Sequence, residues 1–388
     1  MPTYAPSKLT FEKGDGAYLY DSNGKSYIDF SSGIAVTSLG HNHPVLVNAL
    51  KNAVDNVWHL SNLYTINGQK ELADKIVKNS FAETVFFTNS GTESIECLIK
   101  IVRKYFNHIK KPNKYRIITF EGAFHGRTFA ALSAGKQKKH LDGFGPHLKG
   151  FDQVSFGDID ELKKSITDDT AAILLEPIQG EGGIRVFPKS FIYEVKKICE
   201  QYEILLCFDE VQTGIGRTGS LFAHQLWEIE PDILATAKGL GGGFPVGACL
   251  STAKVAGGMV PGTHGSTFGG NPLAMAAANA VIDTILKGDF LNQVCLLSEK
   301  LMFRLNKIKN NNENKIIEIR GRGLMLGLKF SCPTDRLVDL FRNNGLLTVP
   351  AGDNVIRLLP PLVIKEEDIF NACNIIDETL KNWEIDHA

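Results

Sequence analysis

An excess of charge of either sign is missing from this chain. Its 388 residues carry 42 Lys and Arg against 43 Asp and Glu, a formal charge of −1. That balance excludes a general electrostatic drive toward nucleic acid or anionic membranes. Disulfide chemistry is also poorly provided for: the 7 Cys form no CxxC pair, and an odd number in so long a chain argues against a disulfide framework. No run of 18 apolar residues occurs, and the opening MPTYAPSKLTFEKGDG has no apolar h-region. The expectation is a soluble, cytoplasmic enzyme without nucleic-acid or membrane partners. His41 and His43 in GHNHP have ligand-like spacing, but no nearby carboxylate or Cys completes a metal site, so no metal is expected. What is abundant is glycine, 37 residues, well above the roughly 7% of an average protein. Tight turns and close backbone approaches follow from it.

With 43% hydrophobic residues the chain buries a large core, and its length suggests two or three domains. Residues 1–57 read as short strands (AYLYD, SYIDF) around a turn at Ser22, Asn23 and Gly24, then a helix opened by Pro44. Val45, Val47, Leu50 and Val54 are the residues this pattern offers for burial. Residues 58–288 alternate differently. The apolar runs TVFFT, RIITF, AAILLEP, ILLCFD and DILAT are separated by helix-like stretches. Such alternation implies a mainly parallel α/β sheet covered on both faces, with function beyond the carboxyl ends of its strands. From 289 to 388 a helix, the strand pair IIEIRG and GLMLGLKF, a helix, the strand VIRLL and a final helix make an α+β unit. Its expected partner is the N-terminal portion, so that one small domain draws on both chain ends.

Four segments carry chemistry. In TNSGTESIECLIKIVRKYF (88–106) a strand turns into a helix, with Gly91 and Thr92 placing bare N–H groups in its first turn. Such a turn binds phosphate, although in isolation an ordinary capped helix is the simpler reading. In EGAFHGRT (121–128) Phe124 offers an aromatic face and Arg127 a fork suited to a carboxylate. A Gly-rich turn with a core Phe and a solvated Arg fits equally well, and His125 alone is more often structural. In ILLCFDEVQTGIGRTG (204–219) Asp209 and Glu210 end an apolar strand, where a carboxylate is costly unless it meets a cation. A protonated ring nitrogen would satisfy Asp209; capping by the acid pair is the alternative. In DILATAKGLGGGFPVGA (232–248) Lys238 leaves an apolar strand and enters a loop containing Gly239, Gly241, Gly242 and Gly243. Poor solvation makes such an amine a usable nucleophile, and the glycines admit a bulky adduct. The run fails as a dinucleotide fingerprint, because Phe244 takes the final glycine position, and as a P-loop, because the Lys comes first. Taken together the parts are compatible with pyridoxal phosphate chemistry, though not uniquely.

From Leu206 to Gly243 the chain resembles the signature of class III pyridoxal-phosphate aminotransferases. The likeness extends from KGDGAYLYD through GHNHP, NSGTES, FHGRT, EPIQGEGG and HGSTFGGNPLA to VIRLLPPL. The resemblance implies the fold type I of pyridoxal-phosphate enzymes: a large domain with a mainly parallel seven-stranded sheet, plus the small α+β domain. It implies that Lys238 holds the cofactor covalently and later moves the proton, and that Asp209 pairs with the pyridinium nitrogen. Val211 and Phe124 would pack on opposite ring faces, with Glu210 beside them in the cofactor site. Gln212 would reach the ring hydroxyl, and Gly91 and Thr92 the phosphate. Thr267 of a second subunit would complete the phosphate site and Ser266 would touch substrate, making a homodimer the active unit.

For substrates, the family implies that Arg127 grips the distant carboxylate of N2-acetylornithine and Arg357 the near carboxylate of glutamate. Glu181 would cover Arg357 in the first half-reaction. The expected reaction moves the terminal amino group of N2-acetylornithine to 2-oxoglutarate. Ornithine, succinylornithine, succinyldiaminopimelate and 4-aminobutyrate are the alternative donors. An aminomutase acting within glutamate 1-semialdehyde is the alternative class, against which Arg357 argues. Relatives commonly carry Ala-Glu-Ala-Asn where Thr92, Glu93, Ser94 and Ile95 stand. Ile34 stands where ornithine-specific relatives have a tyrosine, which disfavours free ornithine.

Overall fold

The computed structural model describes residues 1–384 of the chain; the last four residues of the expected C-terminal part lie outside them. Its centre is a seven-stranded sheet in the order Thr84–Thr88, Gly247–Ser251, Ile233–Thr236, Leu205–Asp209, Thr170–Leu175, Arg116–Phe120 and Phe151–Val154. Only Gly247–Ser251 runs antiparallel to its neighbours. Every residue of Thr170–Leu175, Leu205–Asp209 and Ile233–Thr236 is buried, as the unbroken apolar runs require of strands covered on both faces. The pleat divides them between two cores. Leu206 and Phe208 enter one, while Leu205 and Cys207 enter the other, with Ile95, Leu98 and Val102 of the helix Gly91–His108. Phe151–Val154 and Gly247–Ser251 do not show as apolar runs in the sequence, because polar or small residues (Asp152, Gln153, Gly247, Ser251) interrupt them.

The parallel strands place their carboxyl ends along one edge. Thr88 leads into the helix at Gly91, Phe120 into the loop of Phe124 and Arg127, and Leu175 into Glu176. Asp209 ends its own strand, and Thr236 leads to Lys238. One topological rule thus collects residues more than a hundred positions apart.

Both chain ends share a sheet. Ser26–Asp29 pairs antiparallel with Tyr18–Asp21 and in parallel with Leu346–Leu347, Ile28 facing Leu346. A further sheet pairs Met325–Phe330 with Ile316–Arg322 and with Val355–Leu358, the strand of Arg357. The helix Pro44–Val54 forms as expected but turns a different face inward. Leu46 is buried and Ala49 and Leu50 pack beside it, whereas Val45 and Val54 stand 48% and 46% exposed. Residues 46, 49, 50 and 53 form the better 3.6-residue stripe, and Ala at two of them lets the helix sit close to the helix Pro272–Ile285.

Candidate active site

A cleft of about 230 Å³ opens at that sheet edge, lined by Gly91, Thr92, Phe124, His125, Gly126, Arg127, Glu176, Asp209, Val211, Gln212 and Lys238. Asp209 lies at its floor, 4% exposed. One carboxylate oxygen accepts from the Val211 N–H at 3.0 Å; the other meets His125 Nδ1 at 2.7 Å. The His125 side chain is fully buried and its Nε2 has no partner among the described residues. Burial works against a charged imidazole, but the hydrogen bond and charge of Asp209 outweigh it, so His125 is raised above its ordinary value.

Lys238 follows its strand after one extended residue and starts a single turn of 3₁₀ helix, Lys238–Leu240. Its φ of +44° is left-handed, a conformation that costs a non-glycine residue on the order of 1 kcal/mol or more and is typical of functional sites. Burial lowers the pKa of its ammonium; the Glu181, Asp209 and Glu176 carboxylates oppose that shift and the Arg357 charge adds to it. The amine is therefore closer to its neutral form than an exposed lysine.

The helix Gly91–His108 begins with Ser90 Oγ accepting from Glu93 N–H at 3.3 Å, and Glu93 returns a bond from Asn89 N–H at 2.5 Å. These caps leave the N–H groups of Gly91 and Thr92 without an intrahelical acceptor. A Cβ at Gly91 would stand 2.6 Å from Val211 Cγ1, so only glycine permits this approach. Ser94 is buried against Thr88 Oγ1 (2.7 Å) and the Thr236 carbonyl (3.1 Å), tying the helix start to the strand before Lys238.

Arg357 is 1% exposed beside this cleft. Its guanidinium forms a fork with Glu181 (Nη1–Oε1 2.5 Å, Nη2–Oε2 3.1 Å) and donates to the Pro350 carbonyl at 2.9 Å and Gln212 Oε1 at 3.4 Å. Gln212 thereby joins the cleft wall to Arg357. Arg127 is exposed at the mouth, its guanidinium 5.6 Å from the centre of the Phe124 ring.

Three expected residues lie elsewhere. Glu210 is fully buried away from the cleft, and its carboxylate accepts from the N–H groups of Ala223 and His224 (2.9 Å) and from Thr213 Oγ1 (3.2 Å). Capping therefore corrects its expected place among the cofactor contacts. The strand alternation explains it: of two adjacent residues at a strand end, only one faces the cleft. Ser266 and Thr267 are outside this wall too. Ser266 Oγ accepts from Asn89 Nδ2 and Gly269 N–H, and Thr267 is exposed.

Two members of the site were not singled out in the sequence. His125 is one. Glu176 is the other, and it obeys the same signal that marks Asp209, an acid ending an apolar strand. Its oxygens accept from Phe124 N–H at 3.0 Å and Gly180 N–H at 3.3 Å, and burial, then the Asp209 charge, push its pKa up to about 8. We expect His125→Ala, which strands the buried Asp209 carboxylate, to cost about 3–5 kcal/mol in denaturant unfolding. A loss under about 1 kcal/mol would contradict the pairing.

A sequence model of the family described as aminotransferase class-III matches residues 2–380. The chain is 54% identical to the acetylornithine aminotransferase of Agrobacterium fabrum, over 94% of this chain and 92% of the relative. Its structure superposes on the N-acetylornithine aminotransferase of Stenotrophomonas maltophilia with a TM-score of 0.85, at 37% identity over 97% of this chain and 96% of that one. The TM-score is 0.93 against an ornithine aminotransferase of Toxoplasma gondii described with partial occupancy of PLP at its active site; identity is 32%, over 98% and 91% of the two chains. Matched nearly end to end in sequence and in fold, the chain belongs to the class-III aminotransferases.

Proposed function

We infer that the protein is a pyridoxal-phosphate-dependent aminotransferase that moves the terminal amino group of N2-acetyl-L-ornithine to 2-oxoglutarate. The products are N-acetyl-L-glutamate 5-semialdehyde and L-glutamate, a step of arginine biosynthesis. The observation that carries this reading is the Glu181–Arg357 fork beside the cleft of Lys238 and Asp209.

The residues present fit the cofactor. Gly91 and Thr92 offer bare N–H groups for its phosphate, and the missing Cβ at Gly91 lets Val211 approach the helix start. Asp209 supplies the acid for a ring nitrogen, Val211 and Phe124 supply apolar walls, and Lys238 supplies the amine. When bound, pyridoxal phosphate contributes an aldehyde that captures amines and a ring that accepts an electron pair from the carbon being deprotonated. Lys238 Nζ, whose charged form burial disfavours, takes that proton and returns it. His125 fixes the orientation of Asp209 through the 2.7 Å bond.

Arg127 and Arg357 divide the substrates. N-acetylornithine presents its reacting amine far from its carboxylate, which suits the exposed Arg127 at the mouth. Glutamate presents amine and carboxylate on one carbon, which requires a cation deep beside Lys238. Arg357 is that cation, and Glu181 occupies it while acetylornithine reacts and yields it to glutamate. Because one carboxylate replaces another, Arg357 is never left buried and unpaired. Ile34, 38% exposed, offers no hydrogen-bonding group to the free α-amino group of ornithine. The exposed Thr267, with Trp58, Leu63, Tyr64 and Phe268 also exposed (57–84%), supports a homodimer in which a second copy covers these residues, receives Thr267 at its phosphate site and has Ser266 beside it facing the substrate. No helix among the described residues is long and apolar enough to cross a membrane, and we place the enzyme in the cytoplasm.

A panel of amino donors with 2-oxoglutarate should give the highest kcat/KM with N2-acetylornithine; negligible turnover of that donor would contradict the substrate assignment. Losing a bidentate bond to a carboxylate, about 1.5–3 kcal/mol, should lower the Arg357→Ala glutamate half-reaction about 10- to 150-fold in kcat/KM. The acetylornithine half-reaction should fall much less, and equal losses would argue against the division of labour.

A further inference from the structure

Arg217 is the one charged residue of GIGRTG, and the mechanism above gives it no role. It is 2% exposed and meets no carboxylate among the described residues, an arrangement that costs several kcal/mol unless hydrogen bonds offset it. Burial pushes its pKa down to about 9. Its Nη1 donates to the Leu324 carbonyl at 3.1 Å and to the Pro360 carbonyl, while its own carbonyl accepts from Leu324 N–H at 3.0 Å.

Those two carbonyls occupy a particular place. In the antiparallel ladder of Met325–Phe330 with Val355–Leu358, Gly327 faces Arg357 and Leu326 faces Leu358. Two steps further along that register Leu324 would stand opposite Pro360. Proline has no N–H to give the Leu324 carbonyl, and the Leu324 N–H is already donated to the Arg217 carbonyl, so neither carbonyl finds its donor across the ladder. Arg217 serves both. It thereby fastens the end of the strand that carries Arg357 to the loop running from Asp209 through Val211 and Gln212. Gly323 reinforces the contact: a Cβ there would stand 2.5 Å from the Thr218 backbone.

We propose that Arg217 is a positioning residue for substrate selection, setting the depth at which Arg357 meets the near carboxylate of the glutamate-type substrate. This rests on the role of Arg357 given above. A plain fastener between two parts of the chain would change stability and both half-reactions together. A positioning residue changes the dicarboxylate side and acts only through Arg357.

The test is a double-mutant cycle read as the Kd of glutarate, a five-carbon dicarboxylate without a reacting amine, on holoenzyme by calorimetry. Arg217→Lys keeps the charge, but its shorter side chain stops short of the point from which Nη1 reaches both carbonyls. It should weaken glutarate about tenfold in the otherwise native protein and less than twofold in the Arg357→Ala background. The acetylornithine half-reaction should change less than threefold. Equal weakening in both backgrounds, or unchanged binding in the native background, overturns the proposal. Should Arg217→Lys not fold, Arg217→Gln carries the same cycle. If that fails too, the native protein decides: saturating glutarate should slow amide exchange at Leu324, and unchanged exchange overturns it. Failure of the native protein to bind glutarate would instead overturn the role of Arg357 itself.

Discussion

A carboxylate at the end of a strand buried on both faces is the constraint on which this site depends. Asp209 sits where the central strand leaves the sheet, nearly shut off from water, and burial there is tolerable only with donors in place. His125 and the Val211 N–H are those donors. A second acid, Glu176, ends the neighbouring strand, and burial and the Asp209 charge together disfavour a second negative charge there. Both of its oxygens accept backbone N–H groups, from Phe124 and from Gly180, so it also fixes the aromatic wall and the residue before Glu181. Charge and position are settled by the same few bonds.

The three arginines illustrate different answers to one problem. Arg127 stays at the surface, exposed to solvent. Arg357 is buried and satisfied by an acid, Glu181, which in the proposed function gives way to a substrate carboxylate. Arg217 is buried with carbonyls alone, which cannot be exchanged. Only the second arrangement suits the proposed withholding of a cation from one substrate and its offer to another, because a buried charge must change partners rather than lose one. The strain at Lys238, a lysine held at positive φ, belongs to the same economy: the turn brings its amine to the cleft instead of along the strand direction.

Much of this was legible before the structure. Apolar runs ending in Asp209 and Lys238 marked the sheet edge, because strands buried on both faces leave a continuous signature. The same rule applied to AAILLEP would have reached Glu176. His125 had no such signal, since one histidine in a Gly-rich loop looks the same whether or not an acid 84 residues away meets it. Arg357 and Glu181, 176 positions apart, came from family likeness alone; no local pattern records a long-range ion pair. Glu210 was misplaced because two adjacent acids look alike in sequence while the pleat sends them to opposite sides. The helix Pro44–Val54 was found, but its buried face was misjudged because large valines were weighted over the small alanines that let helices approach.

The claim that Asp209 holds a protonated ring nitrogen is tested most directly by ¹⁵N NMR of the protein reconstituted with pyridoxal phosphate labelled at that nitrogen. The native protein should show the shift of a protonated pyridine near pH 8, and Asp209→Ala the shift of an unprotonated one. An unprotonated shift in the native protein would contradict the account.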